Sequence, residues 1–167
     1  MIQANFGSFK EYDVNNRFFN PDLAGGALLD IGVYAVSFAR WFMSSKPNTV
    51  LTTMTPFETG VDESSGILLQ NKEMEIATIS LTMRAKQPKR GLIACENGYI
   101  EIYNFPRADK ATITYARDNL SRKWFSAKLR DSLYGRIYFL FKWTNKYTIY
   151  SRCDGCIDED IGKLEGT

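Results

Sequence analysis

The stretch Ala24-Gly25-Gly26-Ala27-Leu28-Leu29-Asp30-Ile31-Gly32-Val33-Tyr34 decides how the chain is read. It follows a polar, Asn- and Asp-rich segment over 10–24 that contains Asn20-Pro21-Asp22 and is expected to be a loop. Two glycines then open the strongest helical pattern in the chain, Ala27 to Met43. Its apolar positions Leu28, Ile31, Ala35, Phe38 and Phe42 step by three or four. Ser44-Ser45-Lys46-Pro47 ends it. The glycines allow close backbone approach and leave amide groups for a ligand or a polar side chain. Asp30 and Tyr34 are four apart and are expected on one helix face. Gly32 beside them costs about 1 kcal/mol relative to alanine, and it leaves room for another group to approach. Spacing alone also fits a plainer arrangement: an acidic residue serving the helix dipole and a tyrosine at the edge of the core.

Outward from the helix, the pattern changes to period two. Ile2, Ala4 and Phe6 alternate with Gln3 and Asn5, predicting a first strand within 2–9. From Thr49 onward strands follow one another. Ala77, Ile79, Leu81 and Met83 alternate with Thr78, Ser80 and Thr82. Gln70-Asn71-Lys72-Glu73 is a turn joining 66–69 to 74–83. Leu92–Cys95 and Tyr99–Tyr103 flank Asn97-Gly98, a hairpin signal because both turn residues tolerate positive φ. Ala111–Ala116 makes a further strand. The expected fold is α+β: a mainly antiparallel open-faced sheet with one long helix on one face.

Composition fits one soluble globular domain. The chain has 167 residues, 44% hydrophobic and 24% charged, enough to bury a single core. No apolar run approaches the roughly 20 residues that span a bilayer, so no membrane role is expected. A formal charge of +2 is too balanced to suggest nucleic acid. Trp124 and Trp143 are therefore read as packing residues. The chain has no histidine, which excludes Ser-His-Asp and Cys-His catalysis and every His-containing metal site within it. Three cysteines, an odd number, make no disulfide framework. With no signal-like N-terminus, they point to the cytoplasm. Cys153-Asp154-Gly155-Cys156 has a Cys-x-x-Cys form, but only Cys95 remains as a third thiol ligand, so no metal is expected.

Arg17-Phe18-Phe19-Asn20-Pro21-Asp22-Leu23, followed by Gly25-Gly26-Ala27-Leu28-Leu29-Asp30-Ile31-Gly32-Val33-Tyr34, closely resembles the C-terminal domain of the glucose–fructose oxidoreductase / inositol dehydrogenase / MocA family. The dimeric dihydrodiol dehydrogenase branch is the most similar. Ile2–Phe6, Gly60-Val61-Asp62-Glu63, 77–81 and 98–102 fall in the family's order. The resemblance covers residues 1–118 and leaves 119–167 as a divergent tail. It implies a dihydrodipicolinate-reductase-like C-terminal domain that completes an NAD(P)-dependent oxidoreductase of sugars, polyols or dihydrodiols. It implies Asp30 and Tyr34 as the catalytic pair, with the Tyr34 hydroxyl giving or taking the proton. A free tyrosine has a pKa near 10, so a positive neighbour is needed; in the family this is a lysine of the Rossmann domain. The resemblance also places Arg17 in a loop facing the site, as a substrate contact.

The Rossmann domain itself is not in this sequence: no Gly-x-Gly-x-x-Gly follows a strand. NAD(P) thus belongs to the intact family protein, no tightly bound cofactor is expected on this chain, and the isolated chain is expected to be inactive. Expected partners are the missing Rossmann domain and further copies of the chain, as a homodimer or larger homo-oligomer through the open sheet face. The competing reading is a non-enzymatic dimerisation or small-ligand-binding module that kept the fold, although such a module has no need of Asp30 and Tyr34 together.

The tail lacks the strand, glycine-containing turn and closing amphipathic helix with which the family continues. Out-of-phase translation beyond about residue 125 accounts for this. Read one nucleotide later, the Cys153/Asp154 junction gives only Val or Ala, and the Asp154/Gly155 junction only Met or Thr. One permitted codon choice over this region spells Leu-Asp-Val-Met-Asp-Val-Leu-Met-Lys-Ile-Leu-Gly, an amphipathic helix. Sequencing the coding DNA tests this, and a shifted frame with no helix-like product from residue 126 onward would end the idea.

Overall fold

The computed structural model describes residues 1–96, 98–108, 110–115 and 123–126. The strands are β1 (Ile2–Gly7), β2 (Pro47–Pro56), β3 (Asp62–Asn71), β4 (Ile76–Thr82), β5 (Gln87–Cys95), β6 (Gly98–Tyr103), β7 (Lys110–Tyr115) and β8 (Lys123–Ser126). They form one sheet in the order β2-β3-β4-β1-β5-β6-β7-β8. β1 lies parallel to β4 and antiparallel to β5; all other neighbours are antiparallel. The α+β architecture read from the sequence is the one observed. Its single parallel pair follows from the long crossover between β1 and β4, which carries the helix and the β2–β3 hairpin.

Cross-strand register explains the core. Leu69, Ala77, Ile2, Ile93, Ile100 and Ile113 form one continuous row across six strands, each at most 7% exposed. Because side chains alternate along a strand, that row faces the helix. The next row on the same face runs through Ile79, Ala4, Gly91 and Ile102. Gly91 is the gap in it. A Cβ there would lie 2.1 Å from Phe38 Cζ, so the ring of the helix residue occupies the space that a side chain on β5 would take.

The opposite face is not covered by any described element. Its central row, Leu68, Thr78, Gln3, Leu92 and Glu101, mixes apolar and polar groups. Arg90 donates to Glu101 Oε1 through Nε at 3.0 Å and Nη2 at 2.7 Å, and the Tyr103 hydroxyl donates to the same oxygen at 3.3 Å. The hydrogen bond to Glu101 holds the Arg90 guanidinium above its ordinary pKa.

The helix departs from expectation at its start. A π-turn occupies Leu28–Gly32, and only then does a regular helix, α1 (Val33–Phe42), begin. The wider turn leaves Leu28 41% exposed although its spacing put it on the apolar stripe, while Ile31, Ala35 and Ala39 are buried. The stretch Pro21–Phe42 is long and apolar enough by composition to cross a membrane. Here its apolar side is spent on the sheet, as in a core helix. The loop over 10–24 is also more ordered than its composition suggests, with 3-10 turns at Arg17–Phe19 and Pro21–Leu23.

At the other end, β8 pairs with β7 in the register Ala111↔Phe125. Lys123–Ser126, which the sequence pattern did not mark as a strand, is therefore one. The expectations for Trp143, for Cys153 and Cys156 and for the closing segment lie outside the described residues.

Gly91→Ala should lower stability by about 1–3 kcal/mol, the usual cost of forcing volume into a packed site. Urea denaturation checks it, and truncating Phe38 in the same chain should recover part of the loss.

Candidate functional site

The site is built from the polar loop and the π-turn. Asn16 Oδ1 accepts from Phe18 N and Asn20 Oδ1 from Asp22 N, so each asparagine caps a short turn. Ala24 then adopts a left-handed conformation with φ 55°. The glycine amides are used internally: Gly25 N donates to Asn20 O and Gly26 N to Phe18 O, both at 2.9 Å. The expectation that the glycines leave amides for a ligand is thereby corrected for these two groups. The helical start is bound by a polar side chain instead. Leu28 N donates to Asp62 Oδ2 at 2.8 Å, and Ser65 Oγ donates to the same oxygen. Gly26 has φ +106°, and a Cβ there would lie 2.3 Å from Asp62 Oδ1. Glycine is required because the capping carboxylate occupies that space.

Asp30 and Arg17 meet. Arg17 Nη2 lies 2.7 Å from Asp30 Oδ1; the aspartate side chain is 14% exposed and the arginine side chain 55%. The carboxylate is the anchored partner and the guanidinium the accessible one. Arg17 Cζ also lies 4.3 Å from the centroid of Phe18, and Lys10 Nζ lies 4.0 Å from the same centroid. One aromatic ring thus carries two cations, with one carboxylate bonded to the arginine. Neither the role of Phe18 nor that of Lys10 is marked by any spacing in the sequence.

Tyr34 is half-buried. Its ring lies 6.0 Å from that of Phe6, which in turn meets Phe105 at 5.8 Å. Among the described residues its hydroxyl has no hydrogen-bond partner, and it is not one of the sealed unpaired oxygens, which are those of Thr59 and Thr114. No hydrogen bond joins Asp30 to Tyr34. Lys89 Nζ stands 4.7 Å from the centroid of Phe6, so a cation of this chain caps the aromatic group that holds the tyrosine. Gly32 serves the opposite side of the turn. A Cβ there would lie 2.8 Å from Leu81 Cδ1, so the group that approaches it is a core leucine of β4.

The loop is pinned by a second aromatic group. Phe19 stacks on Phe57 at 4.4 Å and Tyr12 lies 4.6 Å from Phe57. The Tyr12 hydroxyl donates to Glu58 Oε2 at 2.5 Å. That hydrogen bond, with a smaller contribution from desolvation, raises the Tyr12 phenol above its ordinary pKa. Among the described residues no group of three or more His, Cys, Asp or Glu side chains could hold a metal ion.

The fold and this site have known relatives. The family model for the GFO/IDH/MocA C-terminal domain matches residues 1–101, and the chain belongs to that family. It is 39% identical over 102 residues to trans-1,2-dihydrobenzene-1,2-diol dehydrogenase of Xenopus tropicalis, covering 60% of this chain and 30% of that protein. It is 29% identical over 121 residues to D-xylose 1-dehydrogenase (NADP(+)) 2 of Haloferax volcanii, covering 70% of this chain and 37% of that one. Among solved structures, the 3-ketoreductase KijD10 of Actinomadura kijaniata, in complex with NADP and TDP-benzene, superposes with a TM-score of 0.67. Identity there is 19%, over 87% of this chain and 45% of that one. The chain thus spans about a third of the length of the curated relatives it matches.

Asp62→Ala should cost about 1–2 kcal/mol, the ordinary price of a lost helix cap. Asp62→Asn, which keeps an acceptor oxygen, should retain most of the stability. Denaturant midpoints of the two variants against the parent chain measure this.

Proposed function

We propose that this chain is the substrate-side domain of an NAD(P)-dependent oxidoreductase acting on a sugar, polyol or dihydrodiol. The observation that carries this is the Tyr34 hydroxyl. It is held by an aromatic group at the helix start, with no hydrogen-bond partner in the described chain, in a family whose relatives are dehydrogenases. A phenol without a partner is free to hydrogen-bond the oxygen of a substrate alcohol or carbonyl.

The described residues do not fit a dinucleotide. A pyrophosphate needs free amides at a glycine turn, and those of Gly25 and Gly26 are bonded to Asn20 and Phe18. The cofactor's cradle is therefore assigned to a Rossmann domain outside this chain, and the chemistry of this chain is proton chemistry. Tyr34 releases a proton to, or receives one from, the substrate oxygen. Asp30 holds Arg17 beside Phe18, and the exposed guanidinium then contacts substrate. The uncovered sheet face, where Leu68 and Leu92 lie among polar neighbours, is proposed as a surface for further copies of the chain.

The isolated chain should show no dehydrogenase turnover with NAD(P) and any sugar, polyol or dihydrodiol. Joined to the nucleotide-binding domain of a dihydrodiol dehydrogenase, it should turn over. Tyr34→Phe in that protein should lower kcat by about 10²–10⁴ with little change in KM. A Tyr34→Phe protein that kept the parent rate would remove the acid/base role.

A further inference from the structure

Lys10 and Arg17 gather more positive charge than the residues around them offset. Lys10 follows β1, where its amide donates to Met83 O at 2.8 Å. That bond fixes the backbone from which its half-buried side chain reaches Phe18. The ammonium stands 4.0 Å from the ring centroid, and the guanidinium carbon of Arg17 stands 4.3 Å from it. The two cations are therefore no more than about 8 Å apart, close enough to repel. The ring attracts each of them, but it carries no net charge to offset a pair. One carboxylate, that of Asp30, is bonded to the cluster, and its contact is with Arg17. Among the described residues the Lys10 ammonium has no ion-pair or hydrogen-bond partner.

Donors are left over as well as charge. Arg17 reaches Asp30 through Nη2 alone. A guanidinium has further donors after one such bond, and an ammonium without an acceptor has all of its own. A phosphate or carboxylate group answers both features. It accepts charge-assisted bonds of about 2.8 Å on opposite sides, and its own width makes up the rest of the gap between the cations. The cluster also lies beside the proton-transfer group. Lys10 stands on the segment that leaves the end of β1, where Tyr34 packs on Phe6. Asp30, the partner of Arg17, precedes Tyr34 by four residues on one helical segment, about 6 Å along its axis. A sugar or polyol skeleton covers that distance.

Resting on the assignment of Tyr34 to the substrate oxygen, we propose that Lys10 and Arg17, set about the Phe18 ring, bind an oxyanion, so that the substrate of this domain is a sugar or polyol bearing a phosphate or carboxylate group. Lys10 then selects among substrates. A neutral sugar leaves the two cations facing each other with their donors unused, and an anionic one relieves the repulsion.

NMR titration of the full chain tests this without turnover. Glucose 6-phosphate, glucuronate and glucose are compared at equal ionic strength, because a general salt effect would imitate weak anion binding. The two anions should shift the amides of residues 10 and 16–18 saturably, and glucose at the same concentrations should not. Lys10→Gln should weaken both anions about tenfold, and Lys10→Arg should restore them. A second measurement needs no variant: the affinity for glucose 6-phosphate should fall as sodium chloride is raised. Failure of both anions to bind overturns the proposal. So does glucose binding as tightly as its phosphate, or anion binding that Lys10→Gln leaves unchanged. If adenosine 2′-phosphate shifts these amides and glucose 6-phosphate does not, the cations read a cofactor and the substrate assignment falls. None of these outcomes bears on the proton role of Tyr34, which the rate of the Tyr34→Phe joined protein tests separately.

Discussion

The Asp62 carboxylate holds the site together. It comes from the first residue of β3, thirty-four positions after Leu28, and binds the amide that opens the π-turn. The same carboxylate fills the space beside Gly26 that a side chain would need. The start of the helical segment is thereby tied to the sheet and not merely packed upon it. Without that tie, the first turn would have an orphaned donor and a left-handed glycine with nothing to favour its conformation. The residues named from the family motif are placed by it: Asp30 is inside the turn, Arg17 is bonded to Asp30, and Tyr34 is the second residue of the regular helix.

The π-turn alters what the four-residue spacing of Asp30 and Tyr34 means. In a regular helix that spacing would stack the two side chains and let them interact. The wider turn separates their tasks. Asp30 faces back to the loop and takes Arg17; Tyr34 faces the end of β1 and packs on Phe6. Asp30 is bonded to the Arg17 guanidinium and not to the phenol, so the two side chains have separate surroundings. Lys89 lies over the same Phe6 ring on which Tyr34 packs.

The strands were legible because their pattern is strong. Ile2, Ala4 and Phe6, and Ala77, Ile79 and Leu81, alternate without exception, and the faces they predict are the buried ones. The pairing of β5 with β6 is likewise local chemistry, with Gly98 standing inside β6 opposite Cys95. The π-turn was not legible: its residues have the same apolar steps as a regular helix, and its contacts, Asp62 on the Leu28 amide and Leu81 against Gly32, come from residues distant in sequence. Arg17, Asp30 and Tyr34 could be named from the family motif, but the partnership of Arg17 with Asp30 and the cation-bearing rings of Phe6 and Phe18 are tertiary facts. The strand at Lys123–Ser126 was hidden because Lys123-Trp124-Phe125-Ser126 has no clean alternation; β7 supplies the pairing that makes it a strand.

The edge at β2 and the site at the helix start share one element. The groove that Val50 and Thr52 border is closed on its other side by Leu28 and Val36, and Leu28 is the residue whose amide Asp62 binds. The π-turn that turns Asp30 toward Arg17 is what leaves Leu28 exposed above this groove. The segment that carries Asp30 therefore also leaves apolar surface beside the free strand. Burying that surface is worth about 25 cal/mol per Å², a gain available only to something that reaches the edge of β2. Site and edge are two consequences of one turn, coupled through the two neighbours of a single exposed leucine: the carboxylate that binds its amide and the groove that its side chain borders.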